Sequence, residues 1–243
     1  MRVIIQAGGK GTRLHPYTHV LPKPLMPIED MPILEIVIRQ LVHYGFTDIV
    51  ITVGHLGHLL MAVFGDGKHW GARIEYNVED EPRGTLGAIA QVRDLHEPFL
   101  VMNGDLLTDL DYRRLYEQHL KSKAQLSIGV YQKPIPISLG VFDLDARHQI
   151  VGFREKPIIQ FPCSMGVYVF NPELVWLVPA RGIFGFDDLM AVCLKQHIPM
   201  HAFLFDGLWL DIGRQEDYTQ ASQLLTAHRA RLLPEKAAEA VNR

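Results

Sequence analysis

The chain has 243 residues, 48% of them hydrophobic and 21% charged, the make-up of one large globular domain, which excludes disordered, collagen-like and coiled-coil chains. Net charge is −3 with no block of like charges, so no nucleic-acid partner is expected. No apolar stretch approaches the roughly 18 residues of a membrane span, so no membrane partner is expected either.

In chain order, Arg2 to Ala7, Asp48 to Val53, Arg73 to Asn77 and Phe99 to Asn103 are short apolar runs that read as strands. Between them Ile33 to Tyr44 carries an i, i+3/4, i+7/8 apolar stripe, and Thr85 to Leu95 a similar one, which predicts two helices. The alternation implies βαβ units, hence an α/β, Rossmann-like, mainly parallel (mixed) sheet flanked by helices. Ligands of such sheets bind at the strands' carboxyl ends. The second half is less regular. Leu126 to Tyr131, Gly140 to Leu144, Ile150 to Arg154 and Met165 to Phe170 read as strands, and Pro172 to Val178, Phe186 to Gln196 and Gln215 to His228 as helices. Pro234 to Arg243 reads as a frayed terminal helix. The two cysteines, Cys163 and Cys193, lie in no CxxC or Cys/His array, which predicts free thiols, a reducing compartment and a cytoplasmic protein.

The strongest local signal is strand 1 running into Gln6-Ala7-Gly8-Gly9-Lys10-Gly11-Thr12-Arg13-Leu14. Three glycines let the backbone turn sharply and aim N–H groups outward, the form of an anion cradle. Lys10, Arg13 and, soon after, Lys23 add positive charge suited to a polyphosphate. A P-loop is excluded, since no Gly-Lys pair is followed by a hydroxyl residue, and the dinucleotide fingerprint is incomplete, with Leu14 where its last glycine belongs and the acidic pair Glu29/Asp30 among prolines. Asp105 closes the apolar run Phe99 to Met102, and Asp211 follows another apolar segment. Two carboxylates converging from distant strands suit Mg²⁺. The competing readings are a turn cap for Asp105 and the N-cap of a helix near Arg214 for Asp211. His55/His58 and His15/His19 lack a third ligand, so zinc is not expected.

Gly8 to Leu14, Pro16 and Pro22 to Pro24, with Asn103-Gly104-Asp105, Glu155-Lys156-Pro157 and Trp209-Leu210-Asp211-Ile212-Gly213, resemble the ordered motifs of the sugar-1-phosphate nucleotidylyltransferases. The resemblance spans nearly the whole chain. It implies a single nucleotidyltransferase domain over 1–243, with a nucleotide-binding half (1–125), a sugar-phosphate-binding half (126–230) and a terminal tail (231–243). It implies that Ala7, Gly8, Gly9, Gly11, Thr12, Arg13 and Lys23 hold the nucleotide phosphates. The segment Glu81-Pro82-Arg83-Gly84-Thr85-Leu86-Gly87 resembles the family's base-recognition loop, in which Gly84, Thr85 and Gly87 contact the base and a helix N-terminus assists. Gly140, Glu155, Lys156, Gly166 and Tyr168 fall where the family holds the sugar phosphate. Asp105 and Asp211 would hold Mg²⁺ as cofactor, and Arg13, Lys23 and Asp105 would be catalytic.

Two departures stand out. Gln6 replaces a common leucine, and Leu86 interrupts the usual small-residue loop, which suggests a narrower base pocket. The chain also carries no hexapeptide repeats, so the expected form is the short one without a C-terminal β-helix. The expected partners are a nucleoside triphosphate and a sugar 1-phosphate, with homo-oligomers common in the family. The Glu81 to Thr85 segment leans to GTP with a mannose- or heptose-type sugar. A UTP or dTTP enzyme for a glucose- or muramic-type sugar, and a silent nucleotide-sugar-binding regulator, are the alternatives.

Overall fold

The computed structural model describes residues 1–234. The reading of 235–243 as a terminal helix lies outside the described residues. The strands are β1 (Arg2–Gln6), β2 (Pro27–Ile28), β3 (Met31–Pro32), β4 (Asp48–Val53), β5 (Arg73–Val78), β6 (Phe99–Asn103), β7 (Leu106–Thr108), β8 (Leu126–Pro136), β9 (Val141–Leu144), β10 (Ile150–Arg154), β11 (Ile158–Phe170), β12 (Met200–Phe205) and β13 (Trp209–Asp211). The helices are α1 (Ile33–His43), α2 (Gly57–Phe64), α3 (Gly84–Gly87), α4 (Tyr112–Lys121), α5 (Phe186–Lys195) and α6 (Gln215–Leu232).

Seven strands form one sheet in the order β12-β8-β11-β6-β1-β4-β5. All its pairings are parallel except those of β11, which runs against β6 and β8. Strand β1 shows why the sheet is so apolar. Val3 and Ile5 enter the cluster that α1 covers with Leu34, Val37, Ile38 and Leu41, whereas Ile4 points into the opposite cluster with Leu86, Ile89 and Leu189. A strand covered on both faces needs an unbroken apolar run, which is how it reads in sequence.

Several elements differ from their sequence signals. The stripe at Thr85 to Leu95 yields one α turn, α3, and a 3₁₀ turn over Ala88–Gln91, with Val92 already extended. Two of its residues, Leu86 and Ile89, are core contacts, so the periodicity reports burial rather than a long helix. The Pro172 segment is a 3₁₀ helix, Pro172–Leu177. Helix α6 continues past His228 to Leu232, with non-helical backbone at His228. Helices α2 and α4 and strands β7 and β12 have no counterpart in the sequence reading. Strands β9 and β10 make a separate hairpin beside the main sheet.

Candidate active site

The glycine loop leaves the carboxyl end of β1 with the N–H of Ala7 donating to Thr52 O (3.0 Å). From Gly8 to Arg13, no backbone N–H has a protein acceptor among the described residues. Exposed, unpaired donors in a row are what an anion requires. Gly11 turns the loop at φ +60, and a Cβ there would stand 3.0 Å from Thr18 Cγ2 and 3.3 Å from Lys23 Cβ. Glycine therefore supplies both the left-handed backbone and the closeness to Lys23. The exposed residues of this segment are Gly9, Lys10, Thr12 and Arg13; Ala7 is buried.

Lys23 opens a 3₁₀ turn (Lys23–Leu25) set between Pro22 and Pro24, and its side chain is only 10% exposed. A buried lysine requires a counter-charge. It has two: its ammonium contacts Asp105 Oδ2 and lies 4.0 Å from Asp211 Oδ1. The carboxylates meet because β13 pairs antiparallel with β7, with Asp211 opposite Leu106, and because Ile212 N–H donates to Asp105 O (3.2 Å). Burial, then the neighbouring Asp105, push the Asp211 carboxyl above its ordinary range, against the opposing pull of Lys23 and Arg13. Arg13 completes the ring, since a Cβ on Gly213 would stand 3.2 Å from its guanidinium. The start of α6 is held by Asp217, which accepts from Gly213 and Arg214 N–H (3.1 and 2.8 Å). Asp211 is therefore not that helix's cap.

The second oxygen of Asp105, Oδ1, is buried with no hydrogen-bond partner. A buried unpaired carboxylate oxygen is costly unless something takes it. Together with Asp211 it fits a hard divalent cation that completes its shell with phosphate oxygens and water. No group of three or more His, Cys, Asp or Glu able to hold a metal occurs among the described residues, so such an ion would depend on its substrates for the rest of its ligands.

The base-side loop is built differently from its sequence reading. Gln6 Nε2 donates to Thr85 O and ties that loop to the end of β1. Thr85 Oγ1 accepts from Phe186 N–H (3.1 Å), and Gly84, at φ +77, lies against Phe184 O. The N–H groups of Leu86 and Gly87 both donate to Phe184 O (3.0 and 3.1 Å). The Gly87 N–H is thus taken within the protein, whereas those of Gly84 and Thr85 have no backbone acceptor among the described residues. Leu86 is wholly buried in the core, so it does not narrow a base pocket. Glu79, absent from the sequence-derived set, stands at this edge. A Cβ on Gly8 would be 3.3 Å from its Oε1, and its Oε2 accepts from Arg83 N–H (3.4 Å). Burial pushes its carboxyl upward, against the hydrogen bond and charge of Arg83. Its signal was a carboxylate one residue beyond the carboxyl end of β5.

On the other side, Gly166 sits at φ +72 where a Cβ would lie 2.6 Å from Asn103 Nδ2, which brings β11 against the Asn103-Gly104-Asp105 turn. Tyr168 is largely buried beside the site: it is 5% exposed, its ring stacks on Phe186 at 4.4 Å, its hydroxyl meets Ser164 Oγ at 3.0 Å, and burial, with the charge of Asp211 adding to it, pushes its phenol upward. Gly140, Glu155 and Lys156 form a second cluster at the base of the β9–β10 hairpin. A Cβ on Gly140 would meet the Phe153 ring at 2.6 Å and Glu155 Oε2 at 3.3 Å. Lys156 is exposed, at φ +43, and has no salt bridge among the described residues.

Comparison with known proteins gives a consistent picture. Residues 2–228 match the model of the nucleotidyl transferase family. A UTP–glucose-1-phosphate uridylyltransferase from Synechocystis is 31% identical over 91% of this chain and 62% of its own length. A mannose-1-phosphate guanyltransferase from Saccharomyces cerevisiae is 28% identical over 100% of this chain and 69% of its own. This chain thus spans about two thirds of the length of such relatives. Among solved structures, one described as a glucose-1-phosphate thymidylyltransferase from Bacillus anthracis superposes with a TM-score of 0.75 at 27% identity, covering 92% of this chain and 94% of that one.

Proposed function

The chain belongs to the nucleotidyl transferase family, and from that premise we propose that it transfers a nucleotidyl group from a nucleoside triphosphate to a sugar 1-phosphate, releasing pyrophosphate. The observation that carries this reading is the meeting of the unpaired N–H groups of Gly8 to Arg13 with Lys23, Arg13 and the two carboxylates. In the proposed reaction a sugar-phosphate oxygen attacks the α-phosphorus, and the bond to the β-phosphate oxygen breaks. The nucleophile is already anionic at neutral pH, so no general base is needed. The protein's task is to hold two polyanions in line and balance the charge that builds up. The glycine loop and Arg13 bind the triphosphate, Lys23 neutralises it, and Glu155 and Lys156 receive the sugar phosphate. Mg²⁺ held by Asp105 and Asp211 would supply Lewis-acid charge neutralisation.

For the nucleotide, the reading is GTP with a mannose- or heptose-type sugar. Glu79 supports it. An ionised carboxylate only accepts hydrogen bonds, which matches the adjacent N1–H and N2 amino donors of guanine; uracil and thymine place a carbonyl oxygen beside their single N–H. The similarity to uridylyl- and thymidylyltransferases favours UTP or dTTP with a glucose-type sugar as the second reading. Pyrophosphate release from each common triphosphate paired with each of a panel of sugar 1-phosphates, with products identified by mass, separates them. Nucleotide-sugar binding without turnover on any pair would point instead to a regulatory binding protein.

Self-association belongs to the same proposal. Phe142, Leu144, Ile150 and Phe153 share one face of the β9–β10 hairpin, each more than half exposed, and contiguous apolar surface of this kind marks contact sites. A single-chain mass in analytical ultracentrifugation at micromolar protein would remove it.

A further inference from the structure

Lys23 occupies an unusual position for a phosphate-binding lysine. Its ammonium is not aimed at the unpaired N–H groups of the loop but lies against Asp105 and within 4.0 Å of Asp211. That is the space between the two carboxylates that a bridging cation would need. We propose that Lys23 is the site's resident counter-ion: it neutralises Asp105 and Asp211 until a triphosphate draws it away, so that a divalent cation binds only as the polyphosphate does. The proposal rests on the reading of the glycine loop as the triphosphate cradle.

Three features support it. The backbone of Lys23 is pinned, with Leu25 N–H donating to Pro22 O (2.8 Å) and Met26 N–H to Lys23 O (3.0 Å), so only the flexible stem can move the charge. That stem begins beside the cradle, since a Cβ on Gly11 would be 3.3 Å from Lys23 Cβ. One side chain therefore has two anionic destinations within reach, the carboxylates and a bound polyphosphate. The third feature is the asymmetry of Asp105: Lys23 satisfies Oδ2 and leaves Oδ1 buried and unpaired. A lone ammonium is thus an incomplete partner for this carboxylate pair, one that a doubly charged ion replaces once the lysine has a better place to go. Such coupling is reciprocal, so each ligand raises the affinity for the other by the same factor.

The test uses the full chain, Mn²⁺ counted by electron paramagnetic resonance, and inorganic tripolyphosphate, whose own affinity for Mn²⁺ is measured separately. The wild-type protein should bind Mn²⁺ at least ten-fold more tightly with tripolyphosphate bound than without it. Lys23→Met should bind Mn²⁺ alone at least ten-fold more tightly than wild type and lose most of the coupling. Lys23→Arg, which keeps the charge, should remain weak, and adding Asp105→Asn to Lys23→Met should abolish the gain. Equal or weaker Mn²⁺ binding by Lys23→Met overturns the proposal. Should that variant fail to fold, a coupling factor near one in the wild type overturns it instead. If tripolyphosphate does not bind at all, the cradle reading fails, and the comparison of Lys23→Met with wild type in Mn²⁺ alone still decides the role of Lys23.

Discussion

Asp105 faces two demands at once, with one oxygen on Lys23 and the other buried and unpaired. Asp105→Asn removes the charge while keeping the shape. We expect turnover to fall by about 10³-fold, as when a preorganised electrostatic contact is lost, with an unchanged circular dichroism spectrum; normal pyrophosphate release would dismiss the cation-binding role. Glu79→Gln exchanges an acceptor-only group for one that both donates and accepts. The ratio of kcat/KM for GTP to that for UTP should drop by about 10- to 100-fold, one or two hydrogen bonds' worth of discrimination. A ratio that does not move would show that Glu79 reads no base. Asp105 and Arg13 were legible in the sequence because each follows or lies within a motif at a strand's carboxyl end. Glu79 offered the same cue, a carboxylate just past β5, but its place beside the glycine loop follows only from β5 and β1 lying in the same sheet.

Among the elements, α4 shows how a polar residue is built into the core. His119 is 2% exposed, with Nδ1 at 2.9 Å from Ser127 Oγ on β8 and Nε2 at 3.0 Å from Asn171 Oδ1 just after β11. Burial, chiefly, depresses its pKa below the ordinary 6.5, with the charge of His201 adding to this and the Asn171 contact opposing it. The unfolded chain therefore takes up this proton first. The stabilisation is complete above about pH 6.5 and is lost as pH falls toward the lowered value, at no more than about 1.4 kcal/mol per pH unit from one group. Thermal midpoints measured from pH 7.5 to 5 should fall, and His119→Gln should flatten that slope; parallel slopes in both proteins would place the acid sensitivity elsewhere. Helix α4 carries a stripe at Tyr112, Leu115, Tyr116 and His119 behind the Asp111 cap, but two tyrosines and a histidine on it do not read as apolar until the fold buries them. At Thr85 to Leu95 the opposite happened: the stripe was strong, but the chain needed only two turns to bury Leu86 and Ile89.

At the scale of the whole molecule, Gln40 on α1 joins segments far apart in sequence. Its Nε2 donates to Thr108 O on β7 and to Leu232 O at the end of α6, both at 2.7 Å, and its Oε1 accepts from Tyr112 Oη at 3.3 Å. Through β7 and α6 it braces the segment between them in the fold, which carries Asp211. Gln40→Ala strands these buried groups and should cost about 3 kcal/mol, lowering the thermal midpoint by roughly 10 °C. A midpoint within a degree or two of wild type would mean that α6 is held by its apolar contacts alone.

By itself the sequence determined the α/β class, the parallel strands of the first half, the glycine loop with its basic residues, and the carboxylates Asp105 and Asp211 beyond their apolar runs. These follow from local chemistry: apolar runs make buried strands, and glycines beside lysine and arginine make anion sites. Only the tertiary structure decided that Asp211 lies opposite Leu106, that Lys23 sits between the two carboxylates, that Glu79 borders the glycine loop, and that Tyr168 and Leu86 turn into the core. The physical reason is register. Strands β7 and β13 pair across about a hundred residues of chain, and which residue stands opposite which is fixed by the packing of the whole sheet and its helices, to which no local spacing responds.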